Sequence, residues 1–191
     1  MRRLFRELLQ TALLALVLFS GLQISIQNYR VEGFSMQPTL AEGQYLLVNK
    51  LAYYHVDTEH LSRYLPLVDG QEGDVSYLVR PPERGEIIVF RFPDEPSRNF
   101  VKRIVAIPGD SIEIRRGDVF VNDQLIDEPY LVEPSRNTIM ARTVMGPDEY
   151  FVMGDNRVHS NDSRSWGAVH LENIIGRVWV SYWPLSMFSI F

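Results

Sequence analysis

The longest apolar stretch lies near the start of the chain, and its pattern differs from everything after it. Between residues 8 and 29 there is no charged side chain, and leucine and alanine are spread all round a helix of this sequence instead of forming one stripe. A helix rises about 1.5 Å per residue, so the uncharged span 8–29, with TALLALVLFSGLQISI at its centre, is long enough to cross a hydrocarbon layer of ~30 Å. Arg2, Arg3 and Arg6 precede the run, and only Arg30 follows closely. The positive-inside bias then keeps the N-terminus cytoplasmic and exports the remainder. A cleavable signal peptide shares the basic start and the apolar run, but no convincing A-x-A site precedes the folded part. The expected division is a cytoplasmic N-terminus at 1–7, a transmembrane signal anchor at 8–29 and an extracytoplasmic β domain at 30–191.

Beyond the anchor the hydrophobic pattern shortens to strand length. Residues 45–48, 87–92, 100–107, 111–114, 119–121, 150–153 and 178–183 are β-branched or aromatic runs bounded by Gly, Pro, Asp or Asn. Pro108-Gly109-Asp110, Arg116-Gly117-Asp118 and Asn122-Asp123 supply tight turns, so antiparallel hairpins follow. The fold class predicted is all-β, mainly antiparallel and partly closed, with one N-terminal transmembrane helix. Residues 51–82 break the pattern with His55, His60 and an acidic run from Asp69 to Asp74, and read as a surface excursion. The two histidines read as loop residues, since no third ligand lies at a metal-site spacing. The C-terminal aromatics Trp179, Trp183, Phe188 and Phe191 fit a lipid interface, core packing or a frayed tail equally well.

Composition narrows the chemistry. A net charge of −5 gives no basic face for phosphates, which argues against nucleic acid as a partner. The chain has no cysteine, so a nucleophile must be a hydroxyl, amine or carboxylate. With 46% hydrophobic and 12% aromatic residues in 191, the bulk of the chain can bury a core.

Three polar segments set among tight turns carry the candidate chemistry. In Glu32-Gly33-Phe34-Ser35-Met36-Gln37-Pro38-Thr39-Leu40, Gly33 permits close backbone approach and Pro38 fixes the following turn. That arrangement can hold the Ser35 hydroxyl proud of the fold, with its own backbone N–H free for an oxyanion. A serine needs a base to attack an amide, and Lys102 sits in the apolar run Phe100-Val101-Lys102-Arg103-Ile104-Val105-Ala106. Burial there would lower its pKa from ~10.4 and leave an amine able to take a proton. Strand alternation sends Lys102 and Arg103 to opposite faces, so one of them points inward, and the sequence leaves open which. The third segment, from Gly154 to Arg164, interleaves Asp155 and Asp162 with Arg157 and Arg164. Two arginines and the absence of EF-hand spacing favour internal ion pairs over a metal site. His159 reads as exposed.

Together these segments resemble the signature boxes of bacterial type I signal peptidases, from the anchor to about Pro184. The resemblance implies a membrane-bound serine endopeptidase that removes signal peptides from exported preproteins through an acyl-enzyme, with no metal or cofactor. It implies Ser35 as nucleophile and Lys102 as general base. It further implies that Ser160 orients the lysine amine, that Asp162 and Arg164 form a bracing ion pair, and that Asp155 fixes the turn. Pro82 to Phe90 resembles the remaining box, with Glu86 where the family usually has Asp, a departure expected to be structural. Some members carry a serine hydroxyl as oxyanion donor two positions before the nucleophile; here Gly33 stands there, leaving the backbone N–H groups of Ser35 and Gly33. The implied partners are signal peptides with small residues before the cleavage site, and membrane lipid. Shallow pockets for those residues are expected near Phe34 and Met36. The rival readings are a self-cleaving Ser/Lys protease, which would need a DNA-binding segment, and an inactive membrane-tethered β module.

Overall fold

The computed structural model describes residues 2–57, 75–77, 79–133, 135 and 137–191. Helix α1 (Arg2–Ser25) carries the first apolar run. Its leucines, from Leu4 through Leu18, stand about 60–70% exposed, and the stretch Arg3–Gly21 is long and apolar enough to cross a membrane, with none of it packed against the protein. The uncharged run at 8–29 is divided: the helix ends at Ser25, and residues 26–30 form strand β1 (Ile26–Arg30), which pairs antiparallel with β2 (Tyr45–Asn49). Gln27 and Asn28 find ladder partners there, which a hydrocarbon layer could not supply.

The remaining strands in chain order are β3 (His55–Asp57), β4 (Val75–Tyr77), β5 (Ile87–Phe92), β6 (Glu95–Ala106), β7 (Ser111–Arg115), β8 (Asp118–Val121), β9 (Gln124–Leu125), β10 (Met140–Val144), β11 (Glu149–Met153), β12 (Val169–His170), β13 (Ile174–Trp183) and β14 (Ser189–Ile190). A one-turn helix α2 (Ser163–Trp166) precedes β12. The large sheet runs β1-β2-β13-β5-β6-β11-β12, with β14 beside β13. A four-stranded sheet runs β10-β7-β8-β9, and β3 pairs β4. The pairings are antiparallel, so the all-β antiparallel fold with one N-terminal apolar helix stands.

Strand β5 separates two of the cores that hold the large sheet. Ile87 and Val89 pack into one core with Val31, Met36, Leu40, Leu46, Val48 and Val178. Ile88 and Phe90 point the other way, into a second core with Tyr53, Ile104, Tyr150, Val152 and Leu171. Both faces are covered, which is why this segment reads as a continuous apolar run. A third core, built on Ile112, Ile114, Val119, Val121, Phe151 and Met153, joins the smaller sheet to the large one. Of the excursion at 51–82, residues 58–74 with His60 lie outside the described residues. The C-terminal tail is ordered by the β13–β14 pair; Trp179, Trp183 and Phe188 are exposed, while Phe191 packs on the first core.

Candidate active site

Ser35 lies on the short connection between β1 and β2. Gly33 adopts a positive φ of 84°, a conformation side chains rarely take, and two turn bonds follow, Gln37 N–H to the Phe34 carbonyl at 3.1 Å and Leu40 N–H to the Met36 carbonyl at 2.8 Å. Met36 and Leu40 are 1% and 0% exposed, so they pin the segment into the core from below. Ser35 is thereby held between a buried neighbour and Phe34, which is 54% exposed. Among the described residues neither the Ser35 nor the Gly33 N–H donates to a protein acceptor.

Strand β6 brings Lys102 to this point. Its register sets Lys102 opposite Ile88, and the side chain runs to Ser35: Nζ stands 2.8 Å from Ser35 Oγ and 2.9 Å from the Val101 carbonyl. Lys102 is 4% exposed and its amine lies 5.2 Å from the Phe100 ring. Burial lowers its pKa to about 8; the negative charges of Asp162 and Asp155 oppose the shift without cancelling it.

The face of Arg103 is settled as well. It points away from Ser35, and its Nε and second guanidinium nitrogen donate to Asp155 Oδ1 and Oδ2 at 2.9 and 2.6 Å. Its guanidinium also covers the Tyr130 ring at 4.1 Å. Both basic side chains are therefore largely buried, because Asp155, itself fully enclosed, neutralises one of them. The Thr39 hydroxyl donates to the same carboxylate. Asp155 thus ties β6, the serine segment and the loop after β11 together, which goes beyond fixing a turn.

The loop from Gly154 to Arg164 packs against the serine segment. Asn156 N–H donates to the Ser35 carbonyl at 3.0 Å. A β-carbon on Gly154 would fall 2.4 Å from that carbonyl and 2.2 Å from Ser160 Oγ, so only glycine fits. Asp162 accepts from Arg164 Nε at 2.7 Å, from a second Arg164 nitrogen at 2.8 Å, and from Gly154 N–H at 3.0 Å. Burial alone would raise the Asp162 pKa; the Arg164 hydrogen bond and charge outweigh it and hold the carboxyl below its usual range. Arg157 forms a buried ion pair with Glu128 and donates to the Gly154 carbonyl at 3.2 Å. The Ser160 hydroxyl is buried and, among the described residues, has no well-formed hydrogen bond, to Lys102 or elsewhere; it stands near enough to Asp162 to favour the carboxylate. His159 is exposed and turns to Asn156.

A cleft of about 460 Å³ opens in front of the Ser35–Lys102 pair, lined among others by Tyr29, Val31, Phe34, Leu46, Val89 and Val101. Phe34 is on its wall; Met36 packs in the core beneath, beside Leu46. Glu86 lies outside the cleft and collects Tyr53 Oη at 2.7 Å, the Glu83 N–H at 2.9 Å, Arg80, and Arg177 at 3.2 Å. That network is structural, as expected for the residue in the family's Asp position. The sequence reading did not find the Thr39–Asp155–Arg103 and Arg157–Glu128 pairings. The one available signal was the burial pattern around Arg103, which demands a carboxylate partner without naming it.

Known proteins resemble this chain over most of its length. The family model for signal peptidase, peptidase S26, matches residues 2–183. A probable signal peptidase I-2 from Synechocystis is 33% identical over 94% of this chain and 73% of its own length. Signal peptidase I from Bacillus caldolyticus is 34% identical over 85% of this chain and 82% of its own. A solved signal peptidase I from Enterococcus faecalis aligns with 52% of this chain and 97% of its own at 28% identity, with a TM-score of 0.46. The chain belongs to the signal peptidase S26 family of serine peptidases, and it is a membrane-anchored hydrolase of signal peptides.

Proposed function

We propose that this signal peptidase works through a two-residue machine, Ser35 as nucleophile and Lys102 as general base. The observation that carries the reading is the 2.8 Å contact between Lys102 Nζ and Ser35 Oγ, made by an amine so buried that its pKa falls to about 8. In the neutral amine, Nζ accepts the Ser35 proton as Oγ attacks the scissile carbonyl. The carbonyl electron pair moves onto oxygen, where the Ser35 and Gly33 N–H groups are free to receive it. The protonated Lys102 then gives its proton to the leaving amine, the C–N bond breaks, and an ester joins the signal peptide to Ser35. Water, losing a proton to Lys102, attacks this ester and returns Oγ–H. Asp162 with Arg164 and Asp155 with Arg103 act as positioning residues, holding the loop and β6 on either side of the pair.

Substrate enters as an extended strand ending at Ser35. Residues 99–102 of β6 pair with β5 on one side, whereas β11 meets β6 only from Arg103 onward, so the other edge is open among the described residues. Peptide N–H and C=O groups can complete that edge. The cleft walls of Leu46, Val89 and Val101 leave shallow apolar space suited to small side chains such as alanine. Helix α1 as anchor places the N-terminus in the cytoplasm and the β domain, which begins at Ile26, outside, close to the membrane surface where signal peptides emerge. Cleavage of a labelled preprotein in detergent tests the reading: Ser35→Ala and Lys102→Met are expected to lose at least ~10³-fold in turnover. Substantial cleavage by either variant would remove that residue from the mechanism.

A further inference from the structure

A second cavity, of about 420 Å³, borders the serine segment from its other end. The cleft already described is lined by residues 29–35 of this segment, and the second cavity by Gln37, Pro38 and Ala41; His159 borders both. The rest of its lining is Val132, Glu133, Asp155, Asn156 and Val158. Nothing in the dyad's chemistry uses this space. Its walls are open to a ligand, since Val132 is 72% and Val158 57% exposed.

A peptide substrate has chain on both sides of the bond that breaks. The open edge of β6 and the first cleft take the signal-peptide side, so chain beyond the scissile carbonyl must leave past the other end of the serine segment. We propose that the second cavity is the binding site for the first few residues of the exported protein, and that it selects against acidic side chains there. This rests on the assignment of Ser35 and Lys102. Three extended residues span about 10 Å, enough to run from Ser35 along Gln37 and Pro38 into the cavity.

Charge sets the preference. Of the two carboxylates in the lining, Asp155 is neutralised by Arg103, whereas Glu133 is exposed and makes no ion pair among the described residues. No Lys or Arg belongs to the lining. An acidic residue two or three positions after the bond meets Glu133 across apolar walls, and a basic one is attracted to it. For exposed charges this is expected to change kcat/KM by about three- to tenfold.

The test uses the full chain in detergent and three preproteins that share one signal peptide and cleavage site. They carry Lys, Asp or Ser at the second and third positions of the mature part. Wild type is expected to favour Lys over Asp, Glu133→Lys to reverse that order, and Val158→Asp to widen it. A Lys/Asp ratio that is the same in wild type and Glu133→Lys, with the Ser substrate still cleaved, overturns the cavity assignment alone. Failure of wild type to cleave any of the three overturns it together with the dyad.

Discussion

At the scale of single residues the site turns on one enclosed amine. With a pKa of about 8, roughly a tenth of Lys102 is free base at pH 7, against less than a thousandth for an ordinary lysine. The same burial costs stability. The folded chain holds this proton less tightly than the unfolded chain, so stability rises with pH between about 8 and 10.5 and the full penalty is present below that window. Lys102→Met should therefore be inactive yet more resistant to heat, by up to about 3 kcal/mol at pH 7. Thermal unfolding at pH 7 and pH 10 checks this: a variant no more stable than wild type at pH 7 would mean the amine is not strained by burial. Gly154 is the opposite case, a residue that matters for what it lacks. Gly154→Ala would force a methyl into the Ser35 carbonyl and the Ser160 hydroxyl, with an expected loss of about 1–3 kcal/mol of stability. Turnover should fall at least tenfold with little change in KM, because the carbonyl that must shift belongs to Ser35, the proposed nucleophile.

At the scale of elements, legibility followed pattern length. Strands β2, β5, β7 and β11 lie where β-branched runs between turn residues put them, and β6 extends the expected run at 100–107 back to Glu95. The two-residue strands β9, β12 and β14 are too short to carry an alternation, and β10 is an exposed edge, MARTV, whose place is decided by pairing with β7. Strand β1 was hidden inside the uncharged run, since lack of charge does not distinguish a membrane segment from the sheet edge that follows it. In the site, alternation implied that Lys102 and Arg103 diverge; which one meets Ser35 depends on the register of β6 against β5 and on Asp155, fifty-two positions away. Long-range partners of that kind leave no periodic trace in sequence. They also predict a coupled effect: Asp155→Asn leaves buried Arg103 without its counterion and should cost about 3–5 kcal/mol in chemical denaturation. Because the Asp155 charge also raises the Lys102 pKa, the activity that remains should extend to lower pH than in wild type. Unchanged stability would show that Arg103 finds another partner.

At the scale of the whole molecule, a bilayer helix and a β domain are joined without a linker. Helix α1 ends at Ser25, the next residue begins β1, and the serine segment follows that strand directly. The Lys50 N–H donates to the Ser25 carbonyl at 2.8 Å, stitching the helix end to the sheet. An apolar helix with every face exposed needs lipid around it. Arginine at a membrane-helix centre costs about 2.5–3.5 kcal/mol, so Leu13→Arg combined with Leu16→Arg should move the chain out of the alkali-resistant membrane fraction. Retention there would assign membrane binding to the β domain.

The measurement that bears most directly on the central claim is kcat/KM for preprotein cleavage by the full chain between pH 6 and 10. Lys102 must be unprotonated to accept the Ser35 proton, so the rate should climb about tenfold per pH unit at the acid end, bend near pH 8 and level off above it. A profile that is flat across this range, or that falls as pH rises through 8, would contradict a lysine base.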